Sequence, residues 1–423
     1  MSILSPASSR PPIRFRGHAH NAPKRFRTGT HRSRTPEETL EIASSYFAQA
    51  GITRLADVTG LDRIGIPTIL CFRPNGKTLS VSAGKGISVA AASASAAMEA
   101  IEINQAEYYL LPSIRASWRE MSQRGAIIPI DLLLLAKSSL FNTDWPYQWA
   151  MGWDIVSQQE VGTPLSAVNM DRKDRRLGEL GAFPVNSNGL ASGNNFLEAL
   201  TAGLFEVIER DAMTLHFLPW EHGLTGLTQI DTNSIADPML RDLLDRIAAA
   251  RAEILLFDCR CDTEIPVFTA ILCDLDDHRI GLYRGSGAHL DPVVAASRAI
   301  TEAVQSRGVY IAGSRDDLFK QAHFHLRQTD PRMSIANLLK GGVKIDWPYS
   351  GNEATDSFEG DVGVILDKLR RVGLSSVIVH DLTGPDCPVS VLKVIVPGAE
   401  GLLHNDWYAP GPRAKAWLER FKR

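Results

Sequence analysis

Glu99, Glu102, Glu206 and Glu209 make two Glu-x-x-Glu pairs inside stretches otherwise rich in Ala, Leu and other helix formers, "SAAMEAIE" and "GLFEVIERDA". Residues three apart share a helix face. At about 100° per residue, Glu198, Glu206 and Glu209 fall at about 0°, 80° and 20°, a single narrow stripe. A carboxylate among apolar neighbours costs several kcal/mol unless something pairs with it. Hard divalent cations take carboxylate oxygens, so these pairs predict a magnesium site. For one pair alone, a solvated face laced with salt bridges explains as much.

Recurrence favours the metal. Three segments share one pattern, a Gly-containing turn followed by a small-residue helix and a polar signature: "SVSAGKGISVAAASASAAMEAIE", "NSNGLASGNNFLEALTAGLFEVIERD" and "YRGSGAHLDPVVAASRAITEAVQSR". Glu99 follows Gly86 by 13 residues, Glu206 follows Gly193 by 13, and Glu302 follows Gly287 by 15. On the third helix, Arg298, Thr301, Glu302 and Gln305 form the equivalent stripe. Backbone N–H groups at a helix start favour phosphate. "SAGKG" lacks Walker A spacing, and any one such turn is as well explained as a plain turn. Beside carboxylate pairs, the turns predict amides for phosphates and Glu for magnesium, hence a nucleotide. Asn195 is expected to cap its helix against Glu198, with Asn194 free to touch phosphate.

The elements that must position these groups read as a mixed α/β or α+β chain. "TPEETLEIASSYFAQAG" carries a capping box at Thr35 and Glu38, with Gly51 as a stop. Strands are expected at 67–72, 78–84, 253–259, 267–275, 375–381 and 389–397, with helices between. Residues 10–34 hold eight Lys/Arg, three His and no acid. They read as a basic arm over 1–34, either a loosely packed solvated tail or a docking arm for an acidic peptide or partner. The body is expected over 35–405. A tail over 406–423 ends in a helix whose apolar face is Trp417, Leu418 and Phe421, which should dock on the body or on a second subunit of a homodimer. A net charge of −3 gives no global pull towards nucleic acid or an anionic membrane. The five scattered cysteines complete no zinc motif, and no apolar run approaches 18 residues; both fit a soluble cytoplasmic protein.

These residues together resemble the YcaO family. The resemblance runs in order through "LDRIGIPTILCFRPN", "SAGKG", "SAAMEAIE", "SNGLASGN", "EVIERDA", "TEAVQSR" and "HDLTGPDCPVSVLKVIVPGAEG", covering roughly residues 35–405. It implies a YcaO-type fold around a site for ATP and Mg2+. The metal signature then maps onto Glu99, Glu102, Glu206 and Glu209. The nucleotide contacts map onto Asn194, Glu198 and Arg210, with Arg307 as a phosphate contact and Lys85 in a matching Gly turn. Arg210 and Arg307 would stabilise the transferring phosphoryl group.

Azoline-forming members end in a Pro-x-Pro-x-Pro tail, whereas this chain ends "AKAWLERFKR" below an "APGPRA" piece. The whole is similar to the members that work beside a TfuA partner. That similarity implies ATP-dependent thioamide formation in a peptide or protein, with a sulfur donor. The rival expectations are an azoline-forming cyclodehydratase and a nucleotide-binding scaffold without turnover.

Overall fold

The computed structural model describes residues 11–137, 139–171, 182–276, 281–315, 331–401 and 408–422. The expected boundary between body and tail at 405–406 lies outside them. Three sheets carry the site. One is three-stranded (Arg54–Asp57, Thr68–Phe72, Val81–Lys85). A five-stranded sheet runs in the order Leu282–Ala288, Val267–Asp274, Ala252–Asp258, Thr228–Ile230, Val343–Ile345. A six-stranded sheet runs Ser113–Ser117, Pro146–Asp154, Ile378–Asp381, Ser390–Ile395, Leu190–Gly193, with Gln159–Pro164 also paired to Pro146–Asp154. Among the described strands, pairing is antiparallel except between Thr228–Ile230 and Val343–Ile345. The chain is therefore mixed α and β, as expected.

The three related segments are strand–helix units, and each strand ends the order of its sheet. Val81–Lys85 leads into Val89–Tyr108, Leu190–Gly193 into Phe196–Glu221, and Leu282–Ala288 into Pro292–Ala312. We call these the first, second and third site helices. Ser88, Asn195 and Asp291 cap them, and Asn195 accepts from the Glu198 N–H as its position predicts.

The expected glycine turns are corrected. Ser82, Ala83, Gly84 and Lys85 lie in a strand, and the strand glycines serve close packing. A Cβ on Gly84 would sit 2.0 Å from the Ala92 oxygen, and one on Gly287 would sit 2.2 Å from the Ala295 oxygen. Each helix thus rests almost backbone to backbone on its strand, which fixes the direction of its polar stripe.

The picture of a loosely packed basic arm is also corrected. Ile13–Phe15 and His18–His20 form a hairpin. His20 stacks on Phe196 at a ring separation of 4.3 Å, and Phe15 packs on it tilted at 4.8 Å. Phe15, Ala22, Lys24 and His31 are buried, although Arg14, Arg16, Arg25, Arg27 and Arg34 remain exposed. Composition hid this because the few buried residues are scattered among arginines. Deletion of residues 1–30 should destabilise the fold, since it would strip Lys24 from the buried Asp361.

The C-terminal helix, Pro412–Glu419, docks on the body, where Ala414 and Leu418 pack against Leu215 and Leu218 of the second site helix. Trp417 is half-buried there, but Phe421 stays exposed, so the docked face is Ala414, Trp417 and Leu418. Arg413 forks onto Asp211 at 2.9 Å and Asp262 at 2.6 Å, and buried Glu400 accepts from the Ala414 N–H. Truncation after Pro412 should therefore lower stability by about 3–5 kcal/mol, the usual result of stripping one partner from a buried pair. An unchanged melting curve would show the helix to be dispensable.

Candidate nucleotide and metal site

The polar stripes of the three site helices converge. Donors from the strands reach them in cyclic order. Lys85 of the first strand pairs with Glu302 of the third helix at 2.5 Å. Ser192 of the second strand donates to Glu102 of the first helix at 3.0 Å. Ser286 of the third strand donates to Glu209 of the second helix at 2.7 Å. Threefold repetition in sequence thus becomes a closed ring of contacts in space.

The charges in this ring are unbalanced. Burial pushes the Glu102 carboxyl well above its usual range, and Glu206 and Glu99 push it further. Glu206 rises to about 7, from burial first; Arg210 opposes this and Glu209 adds to it. Glu99 is raised mainly by burial, against Arg315 and Lys85. Burial also pushes Glu302 up, but Lys85, Arg210 and Arg298 together hold it below its usual value. Glu209, only 5% exposed, meets the Ser286 hydroxyl. Carboxylates driven towards protonation by burial and by one another call for added positive charge.

The all-oxygen donor set fits magnesium. Among the described residues, no three of these carboxylates bring an oxygen each within 4.8 Å of the others. That spread suits ions that keep waters and bridge phosphates, each met by one or two carboxylates.

A second, polar half adjoins this ring at the start of the second site helix. Glu198, 2% exposed, accepts from the Ser33 N–H (3.0 Å), the Ser33 hydroxyl (2.7 Å) and the Asn194 amide (3.0 Å), with the Arg32 guanidinium at 3.6 Å. Asn194 also bonds Thr39, and Asn195 reaches the Ser33 hydroxyl at 3.0 Å. Arg298 of the third helix links the halves: its charge lowers Glu302 and opposes that of Arg32.

Arg210 faces Glu209, Glu206 and Glu302, whose charges outweigh burial and raise its proton affinity. Lys85, Glu99, Glu102, Asn194, Glu198, Glu206, Glu209 and Arg210 thus all fall in the two halves. Arg307 does not stand ready for phosphate. It is 2% exposed and ion-paired to Asp62 and Asp274, each at 2.8 Å. It lies about 140° round the helix from Glu302, so it is off the stripe and turned towards Asp62 and Asp274.

Sequence reasoning missed Arg32, Ser33 and Thr39, because the arm read as a tail and Thr39 as one residue of a capped helix. It also missed Lys393, which is 1% exposed, donates to the Asn186 carbonyl at 2.7 Å and lies near Glu206 and Glu102. Burial pushes this lysine down to about 8. A lone lysine inside the apolar run "VSVLKVIVP" was the available signal, since buried charges need partners.

A family model described as YcaO cyclodehydratase, ATP- and Mg2+-binding, matches residues 83–400. The chain is 36% identical over 390 residues to an uncharacterized protein in the tfuA 3′ region of Rhizobium leguminosarum bv. trifolii, covering 90% of this chain and 92% of that one. It is 35% identical over 372 residues to an uncharacterized protein of Methanothermobacter thermautotrophicus, covering 86% and 94%. Its fold is similar to that of a YcaO from Methanopyrus kandleri bound with AMPPCP and Mg2+ (TM-score 0.69, 22% identity, 89% of this chain and 94% of that one). It is also similar to a heterocyclase in complex with substrate and cofactor (TM-score 0.78, 22% identity, 96% and 57%).

Proposed function

We propose that this chain, which belongs to the YcaO family, activates a backbone amide of a peptide or protein with ATP and installs a thioamide there, beside a TfuA-type partner. The observation that carries the ATP-dependent part is the ring of Glu99, Glu102, Glu206, Glu209 and Glu302 from three helices, with Arg210 and the Glu198 half next to it. The relative in the tfuA 3′ region supports the thioamide product.

A sulfur nucleophile adds to the amide carbon, and the amide oxygen becomes an oxyanion. That oxyanion attacks the γ-phosphorus of ATP, and ADP leaves. The carbon–oxygen bond then breaks, releasing phosphate, and C=S remains. The balance is amide plus hydrosulfide plus ATP giving thioamide, ADP and phosphate. Mg2+ held by the Glu ring would offset triphosphate charge. Arg210 would stabilise charge on the phosphoryl group in flight. Lys85, held by Glu302, adds a second cation at the ring. Glu198 and Asn194 would orient the nucleoside end. Arg307 serves at a distance, fixing the third helix to Asp62 and Asp274.

Incubation of a candidate peptide with this protein, ATP, Mg2+, sulfide and a TfuA-type protein should add about 16 Da per modified amide, whereas cyclodehydration would remove about 18 Da from the same backbone unit. A loss of mass would replace the thioamide reading with azoline formation. Partner-dependent binding with no phosphate released from ATP in the presence of any peptide would favour a scaffold.

A further inference from the structure

The tightest group of metal-ligand side chains in the described structure lies outside the Glu ring. His31, His289 and Asp361 are all buried, and each places one donor atom within 4.8 Å of the others. They come from the arm, from the loop before the third site helix, and from the helix Phe358–Arg371. The Lys24 ammonium lies among them, 2.5 Å from an Asp361 oxygen and 3.2 Å from His31 Nδ1, with side-chain exposures of 0% for Lys24 and 1% for Asp361. The other Asp361 oxygen accepts from the Thr355 N–H and hydroxyl. His289 Nδ1 accepts from the Asp291 N–H, and its ring packs on His31 and Phe205, each at 4.7 Å.

We propose that Lys24 is the resident cation of this site and a positioning residue for the nucleotide, which it serves by clamping the arm so that Arg32 and Ser33 meet Glu198. His31 is the link. It is held on one side by Lys24 and followed directly by the two residues that reach Glu198 at 3.6 and 2.7 Å. A neutral imidazole offers one lone pair to the ammonium, and the carboxylate supplies the opposite charge. The three ligands would also suit a transition metal, but the ammonium already sits against two of them, Asp361 and His31. Elsewhere the arm is held by the Phe15 and His20 contacts with Phe196 and by the bond from the Ala22 N–H to Glu359. Within residues 24–33 the Lys24 N–H also bonds the Asp356 carbonyl at 3.1 Å and Arg27 pairs with Asp356 at 2.7 Å, so loss of the ammonium would loosen His31, Arg32 and Ser33 without releasing the hairpin.

The proposal rests on the assignment of the Glu198 half to the nucleotide, and wild-type binding of AMPPCP with Mg2+ tests that assignment by itself. The comparison between variants tests Lys24. Lys24→Met keeps the bulk and removes the charge. It should weaken AMPPCP–Mg2+ binding about tenfold, the usual effect of losing a support behind a ligand-contacting group. Trypsin should then cut faster after Arg32, whose side chain lies beside Glu198 in the wild type. Lys24→Ala leaves a cavity the length of a propyl chain, so millimolar propylammonium, but not 1-propanol, should restore both affinity and protection. Wild-type affinity in Lys24→Met would overturn the proposal. So would equal rescue by the alcohol, which would reduce Lys24 to filler. Should Lys24→Met fail to fold, Lys24→Ala grown and purified with propylammonium carries the same comparison on removal of the amine.

Discussion

Glu209→Gln should leave a folded protein that releases phosphate at least about a hundredfold more slowly in the presence of peptide, the scale seen when one charge-stabilising group is removed from a reaction site. The glutamine oxygen can still accept from the Ser286 hydroxyl, so the 2.7 Å contact survives. What disappears is one negative charge in a ring whose members already repel one another. Glu209 is among the groups that raise Glu206, so its neutralisation relaxes Glu206 towards its ordinary value. The metal-free variant should therefore melt at the same temperature as the wild type or higher, and gain less from added Mg2+. This opposite movement of stability and turnover separates a metal ligand from a structural glutamate, whose loss would lower both. Normal turnover in the variant would remove Glu209 from the metal site.

The second large effect is a linkage between protons and magnesium. Glu99 and Glu102 are raised and Glu206 reaches about 7, in each case with burial as the leading cause. Between the unfolded value near 4.5 and the folded value near 7, the folded chain binds more protons than the unfolded one. Stability then falls as pH rises through that window. The Glu206 contribution is fully present below about 4.5 and lost above about 7, and Glu99 and Glu102 act in the same direction. Metal-free protein should thus melt at a lower temperature at pH 8 than at pH 6. Saturating Mg2+ with AMPPCP should reverse the order, because the cation replaces the protons. Calorimetry in two buffers of different ionisation enthalpy should show proton release on Mg2+ binding at pH 6.5 and little at pH 8.5. Equal heats in both buffers at pH 6.5 would mean that the ring is already ionised and otherwise balanced. Glu302 should contribute with opposite sign, since Lys85, Arg210 and Arg298 hold it low.

Local features of this protein follow from the sequence because their causes are local. The Thr35–Glu38 capping box, the Gly51 stop and the Asn195 cap each depend on residues within a turn of one another, and each forms as the sequence predicts. The spacing of Glu198, Glu206 and Glu209 fixes one stripe because helix geometry is nearly invariant. Recurrence of the pattern marked three such units, and with them the carboxylates proposed for the metal, before any contact between them was visible.

Which groups the stripes meet depends on packing between distant segments, and there the sequence is silent. Lys85 finds Glu302 across 217 residues, and Ser33 finds Glu198 across 165. Arg307 shares a helix with Glu302 and has the right chemistry for phosphate. Its field is instead taken by Asp62 and Asp274, which reach it from the loop between two strands of the three-stranded sheet and from a strand of the five-stranded one. The basic arm shows the same limit from the other side. Its composition is that of a solvated tail, yet Lys24 is buried because Asp361 and His31 surround it. Residue type and spacing determined which groups could act here; the burial and charge of their partners, which exist only once the three sheets are assembled, decided which of them face the site.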